Sequence, residues 1–349
     1  CSQPHRTAPR ACVDSGLLVA LLRIRSSWAS VLVFGGCTRT SRRLHRVVNH
    51  GSPRRRDRAH HRPGRYDFSM SVLTSNTPQA SSSGLLRATT RAGVVSFLNA
   101  RPLVAGLDAL AGWSIQLSPP SGLIGLLEAD TVDLALCSSV DLLSVPFDVA
   151  WLASTPLACR GETQTVRLFA KRDVADLRTI HCDTDSHTSV ALLRILLAEH
   201  WNGSAKLVPI SDPSPVEAQL LIGDKVVQPN LTADRWPVQE DLGEAWFAHT
   251  GLPFVFAVWM GRADRAACIQ RAGRVIDRQL RLNQHRLDAI IAREAPLLGW
   301  TRQEASEYLT RHIRYDFGPD ELAGLMLFLD KCREHGCGND RAVPAPLTL

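Results

Sequence analysis

Short apolar runs and helix-patterned runs alternate along this chain in two blocks, and one long apolar strand then leads into helices alone. The first block, 92–171, opens with a β-type run at Gly93–Phe97. Pro102 suits the first turn of a helix reaching about Leu110. Ser118-Pro119-Pro120-Ser121 reads as a stop and cap before a helix to Ala129. Val132–Cys137 reads as a buried strand, with Ser138 and Ser139 opening a short helix, and Thr165–Lys171 as a further strand. The second block, 172–253, holds strands at Thr179–Cys182, Lys206–Ile210 and Leu220–Ile222. Its helices are Asp241–Thr250 and Thr188–Trp201, where Val190, Leu193, Leu196 and Leu197 recur at helical spacing.

Such alternation predicts an α/β protein with parallel sheets covered on both faces. The strand Phe254–Met260 and the helices after it predict how the blocks combine. The chain runs out to a second lobe and returns, so 254–337 packs on lobe one and 338–349 forms a tail. Two crossings make a hinge, and a ligand cleft lies between the lobes.

Charge is unevenly placed. Residues 1–69 hold 14 Arg, no Lys and 3 Asp, whereas the remainder holds 26 basic and 31 acidic side chains. The basic excess therefore belongs to the head, and the lobes give no whole-domain reason to expect nucleic acid. Residues 1–91 read as a disordered leader, the part before Met70 also as an upstream extension of the true start. A rival reading takes Arg23, Arg25 and the apolar run Trp28–Phe34 before Cys37 as a lipoprotein-like signal. No stretch reaches the ~18 uninterrupted apolar residues of a membrane helix. Nine cysteines without a CxxC or zinc-type spacing point to reduced thiols in the cytoplasm.

The glycine-rich phosphate-binding patterns, HExxH and GxSxG are missing, so nothing points to a nucleotide, a metal or a serine-hydrolase triad. Four clusters sit where a strand ends, three of them where a helix also begins, and ligands gather at such places in α/β sheets. They are Ser96 to Pro102, with Asn99 and Arg101; Cys137-Ser138-Ser139; Asp183 to Ser189, with Ser186, His187 and Thr188; and Leu221 to Asp224, with Gly223. Each of the first three is also explained by helix capping; Gly223 lets a ligand or backbone come close, and Asp224 serves as a hinge or an orienting group. The third offers several hydroxyls and N–H groups to a carboxylate. His181 and His187 are the only histidines near these clusters.

Ser96-Phe-Leu-Asn-Ala-Arg-Pro-Leu103, Asp133 to Ser139, Asp183 to Leu193, Leu221 to Asp224, Asp241 to Trp246 and Thr250 to Trp259 together resemble the chorismate dehydratases of the futalosine route to menaquinone. The resemblance runs from about Gly93 to Gly336, including Ile313 to Tyr315, Gly318 and Glu321 to Phe328. It implies a two-lobed fold like the type II periplasmic binding proteins. It also implies loss of water from chorismate to give 3-[(1-carboxyvinyl)oxy]benzoate. Asn99 and Ser139 are the expected catalytic residues. Ser96, Arg101, Ser138, Ser186, His187, Thr188, Ser189, Gly223 and Asp224 are expected to bind substrate. Two positions depart from the family: Ser138 stands where Pro is usual, and His187 where Arg is common. The later naphthoate synthase of the pathway carries a Ser-Pro-Cys-Pro-Asn-type motif that is absent here. A transporter's solute-binding protein and a regulator's sensing domain are rival readings of the same chain. No cofactor, metal, nucleic acid or membrane partner is implied, and the oligomeric state is open.

Overall fold

The computed structural model describes residues 89–349. The head and most of the leader, including the lipoprotein-like run, lie outside the described residues. The chain begins with β1 (Thr90–Val95), α1 (Arg101–Val104), β2 (Trp113–Ser118), α2 (Leu123–Glu128), β3 (Leu134–Ser138), β4 (Val149–Trp151) and β5 (Leu157–Cys159). It continues through β6 (Val166–Ala170), β7 (Thr179–Cys182), α3 (His187–Glu199), β8 (Lys206–Pro209), β9 (Ala218–Ile222), β10 (Val238–Asp241) and α4 (Leu242–Thr250). It ends with β11 (Phe254–Arg262), α5 (Ala266–Gln284), α6 (Leu287–Glu294), α7 (Arg302–Glu307) and α8 (Pro319–Glu334).

Two sheets form. The first has the order β2-β1-β3-β11-β4, with β5 also on β11; the second has the order β10-β6-β9-β7-β8. The return strand β11 is central to the first sheet, and its Phe254, Val258, Trp259 and Met260 are almost wholly buried. β11 thus carries the chain back into the first sheet. The chain crosses between the sheets at 160–165 and again at 251–253.

Several expectations need correction. The sheets are mixed rather than parallel: β11 runs antiparallel to β3, β4 and β5, and β6 runs antiparallel to β9 and β10. A strand that enters a sheet from the other lobe arrives without a covering crossover helix, so nothing forces it parallel. Thr165–Lys171, placed in the first block, contributes β6 to the second sheet. Structure begins before Gly93. Arg91 pairs in β1, its backbone N–H donates to Asp133 at 2.8 Å, and its guanidinium meets Asp133 at 2.7 Å.

The helix expected to reach Leu110 stops at Val104 and gives way to turns. Ser121 lies within the turn Pro120–Gly122 and does not cap α2, and Ser138 makes no side-chain cap to the turn it precedes. The tail 338–349 also packs on the first lobe: Trp151 Nε1 donates to the Pro344 carbonyl at 2.8 Å, and Leu347 bridges to Leu152. No described helix is long and apolar enough to cross a membrane.

Candidate active site

The C-terminal ends of β1 and β3 face the start of α3 and the end of β9 across the cleft. The cavity there is lined by Phe97, Asn99 and Ser138 of the first lobe and by Ser186, Ser189 and Gly223 of the second. Thr163 and Thr165 of the outgoing crossing complete the polar part, and Leu136, Leu157, Phe256 and Ile313 the apolar part. The cavity is small, about 50 Å³, and none of its lining side chains is charged. Polarity comes from one amide, several hydroxyls and the N-terminus of α3, whose dipole favours negative charge.

Each lobe supports its half of the wall. On the second, Ser186 caps α3 by accepting from the Ser189 N–H at 3.2 Å, and the two hydroxyls lie 3.0 Å apart. Lys225 Nζ holds the preceding loop by donating to Asp183 at 2.7 Å and to Asp185 at 2.6 Å. On the first, Asn99 is held from two sides. Its Nδ2 donates to Tyr308 Oη at 3.1 Å, and its carbonyl accepts from Tyr315 Oη at 2.8 Å.

Other expected residues make the seam on which the lobes close. Thr188 Oγ1 lies 3.3 Å from Ser139 Oγ and accepts from the Val140 N–H at 3.3 Å. Ser139 Oγ itself donates to the Val255 carbonyl at 2.7 Å. His187 Nδ1 pairs with Asp141. Asp224 Oδ1 accepts from Trp300 Nε1 at 2.8 Å and from the Leu98 N–H at 3.2 Å. Burial pushes the Asp224 carboxyl up, against the pull of those two donors.

Gly223 has φ +58°, and a Cβ there would meet the Phe97 ring at 2.7 Å. The close approach expected at this glycine is therefore made by the other lobe.

Six expected residues do not line the cavity: Ser139, His187, Thr188 and Asp224 are taken up in the seam, and Ser96 and Arg101 lie away from both. Ser96 is exposed, and its carbonyl accepts from Arg101 Nη2 at 2.9 Å. Arg101 turns to Glu294, 3.4 Å away, and lines a separate surface hollow with Val104 and Asp108. The half-buried Glu294 partner explains why the arginine leaves the cleft. His181 is buried and lies 3.2 Å from Ser214 Oγ. A more open hollow shares Ser186 with the cavity and is lined by Asp141, His187 and Arg194. It borders the His187–Asp141 contact of the seam and is lined from both lobes.

Sequence reasoning missed Thr165, Lys225, Trp300 and Tyr308 as parts of the site. Lys225 follows Asp224 directly, and two acids two residues apart, Asp183 and Asp185, were a signal for a cation nearby. Trp300 and Tyr308 lie more than seventy positions from any cluster, and no local pattern connects them to one.

Residues 90–334 match the family model described as menaquinone biosynthesis. The chorismate dehydratase of Thermus thermophilus is 30% identical over 258 residues, which cover 68% of this chain and 93% of that protein. Among solved structures, an Archaeoglobus fulgidus protein aligns with TM-score 0.58 at 13% identity, covering 71% of this chain and 98% of its own. The alkanesulfonate-binding protein SsuA of Xanthomonas axonopodis pv. citri aligns with TM-score 0.55 at 14% identity, covering 75% and 99%. At such identities the structural likeness shows the fold alone, the two-lobed α/β fold of periplasmic binding proteins. The sequence match extends over nearly all the described residues, and the chain belongs to the menaquinone biosynthesis family.

Proposed function

We propose that this protein is a cytoplasmic chorismate dehydratase, a hydro-lyase that converts chorismate to 3-[(1-carboxyvinyl)oxy]benzoate and water. The observation that carries the reading is the cavity itself: an uncharged pocket of one amide, several hydroxyls and a helix N-terminus, in a chain 30% identical to a chorismate dehydratase. Loss of a proton from C3 and of hydroxide from C4 makes the ring aromatic. That gain lowers the demand for a strong acid/base pair, which typically adds ~10²–10⁴-fold. Holding the reacting groups in place can supply ~7–11 kcal/mol.

In this reading the α3 N-terminus, with Ser186 and Ser189, binds one carboxylate of the dianion. Asn99 meets the departing hydroxyl. Ser139 reaches the ligand by exchanging its Thr188 contact as the lobes part around the substrate. The C3 proton passes to the enolpyruvyl carboxylate carried on the same carbon and leaves with the hydroxide as water. Arg101, paired with Glu294, has no part in it.

The test is to incubate the protein with chorismate and follow a product lighter by one water by mass spectrometry. Enzyme-dependent product establishes the reading. Binding without turnover favours a solute-binding protein, the reading to which the SsuA-like fold lends support.

A further inference from the structure

Tyr308 lies outside every cluster that the sequence singles out, yet its hydroxyl joins the cavity to the hinge. It opens a single π-helical turn, Tyr308–His312. Such turns are rare and frequently mark functional sites. The ring is 1% exposed and stacks on Trp300, with centroids 5.1 Å apart and planes 10° from parallel. Burial pushes the phenol up, so it stays protonated and has one proton to donate. Asn99 Nδ2 donates to Oη at 3.1 Å, and Oη lies 2.9 Å from Thr165 Oγ1. Thr165 Oγ1 and Oη share the second hydrogen bond of this phenol, in which either hydroxyl can donate.

Thr165 belongs to the outgoing crossing, and its carbonyl accepts from the Gly223 N–H at 2.8 Å. This network leaves one polar atom of Asn99 buried without a protein partner: Oδ1, on a residue that lines the cavity. A buried acceptor left unpaired is costly unless a ligand meets it.

We propose that Tyr308 is a positioning residue: it fixes the Asn99 amide with Oδ1 toward the ligand, and it ties that orientation to the hinge through Thr165. The proposal rests on the dehydration reading, in which Asn99 meets the departing hydroxyl. An acceptor at this point selects a ligand with a hydroxyl proton to give. Without Oη, the amide presents N–H as readily as C=O.

Tyr308→Phe keeps the ring and its stacking and removes Oη alone. Thr165→Val removes the second partner at nearly constant shape. The first readout is the Asn99 side-chain amide pair in a ¹⁵N–¹H spectrum of the full chain, identified by its disappearance in Asn99→Asp. The pair is expected to move in both variants. A pair that stays in place in Tyr308→Phe overturns the proposal and leaves the dehydration reading intact.

The second readout is chorismate turnover. Tyr308→Phe is expected to lower kcat about tenfold, with KM changed less than about twofold. In an Asn99→Ala background the same change is expected to cost less than about twofold, because the residue it acts through is gone. Equal costs in the two backgrounds make Tyr308 merely structural and overturn the proposal. A wild-type protein that leaves chorismate unchanged overturns the dehydration reading and the catalytic part of the proposal together, whereas the amide pair still decides the hydrogen bond.

Discussion

Nδ1 of His187, the first residue of α3 in the second lobe, lies 2.7 Å from Oδ1 of Asp141, on the turn after β3 in the first. The hydrogen bond to Asp141 raises the imidazole, against burial, which lowers it. Burial raises Asp141, and His187 pulls it down. When the imidazole is protonated, the contact at this distance is a charge-assisted bond. The pair thus joins the lobes through an imidazole whose pKa is raised by the contact.

A group whose pKa is raised in the folded, closed form contributes below its unfolded value, about 6.5, and loses that contribution as pH rises through its folded value. Closure is therefore expected to weaken on the alkaline side. Calorimetric titration with chorismate should show affinity falling by about fivefold across this range, a modest effect because the imidazole is half exposed. His187→Gln should flatten the profile, and His187→Arg should hold the affinity at high pH. Identical profiles for wild type and His187→Gln would show that another group governs closure.

Asn99→Ala removes the one amide of the cavity. We expect kcat/KM for chorismate to fall by about 10²-fold, as for loss of a contact that positions a reacting group. Ser139→Ala tests whether its hydroxyl leaves Thr188 for the ligand. A loss mainly in kcat supports that exchange. A change in KM alone confines Ser139 to the seam.

Gly223→Ala places a Cβ against the Phe97 ring in a backbone conformation that side chains rarely adopt. Urea denaturation should show a loss of about 1–3 kcal/mol. Small-angle scattering should show a larger radius of gyration, because Phe97 belongs to the opposite lobe. A variant as compact and as stable as wild type would mean that the ring moves aside freely.

Glu199, at the end of α3, receives Lys331 and His335 from α8 and His249 from α4. Burial opposes its charge, but these donors hold the carboxyl down to about 2. A carboxylate depressed on folding contributes above its unfolded value and loses that contribution as pH falls through the folded one. Acid unfolding followed by tryptophan fluorescence should therefore be steeper between about pH 4.5 and 2 in wild type than in Glu199→Gln. Superimposable curves would exclude this cluster as an interlobe tie.

Much of the site was legible because ligand-facing residues in an α/β sheet gather at strand ends. Asn99, Ser138, Ser186, Ser189 and Gly223 were found that way, and all line the cavity. Ser96 and Arg101 sit in the same motif and were expected with them. Position in a motif does not say which way a side chain turns: Arg101 found Glu294, almost two hundred residues away, and left the cleft.

The sequence by itself determined the elements and the path. Helical spacing placed α3, the apolar run placed β11, and the single return strand before an all-helical end required a second lobe and two crossings. These are properties of nearby residues and of chain direction, which local pattern records. Strand direction in the mixed sheets, the seam of His187 with Asp141 and Asp224 with Trp300, and the hold of Tyr308 on Asn99 were decided only by tertiary structure. The three side-chain pairs join residues 46 to 209 positions apart. A buried donor takes whichever acceptor the packed lobes bring within about 3 Å. That proximity is set by how the two sheets close on each other, and no window of sequence carries it.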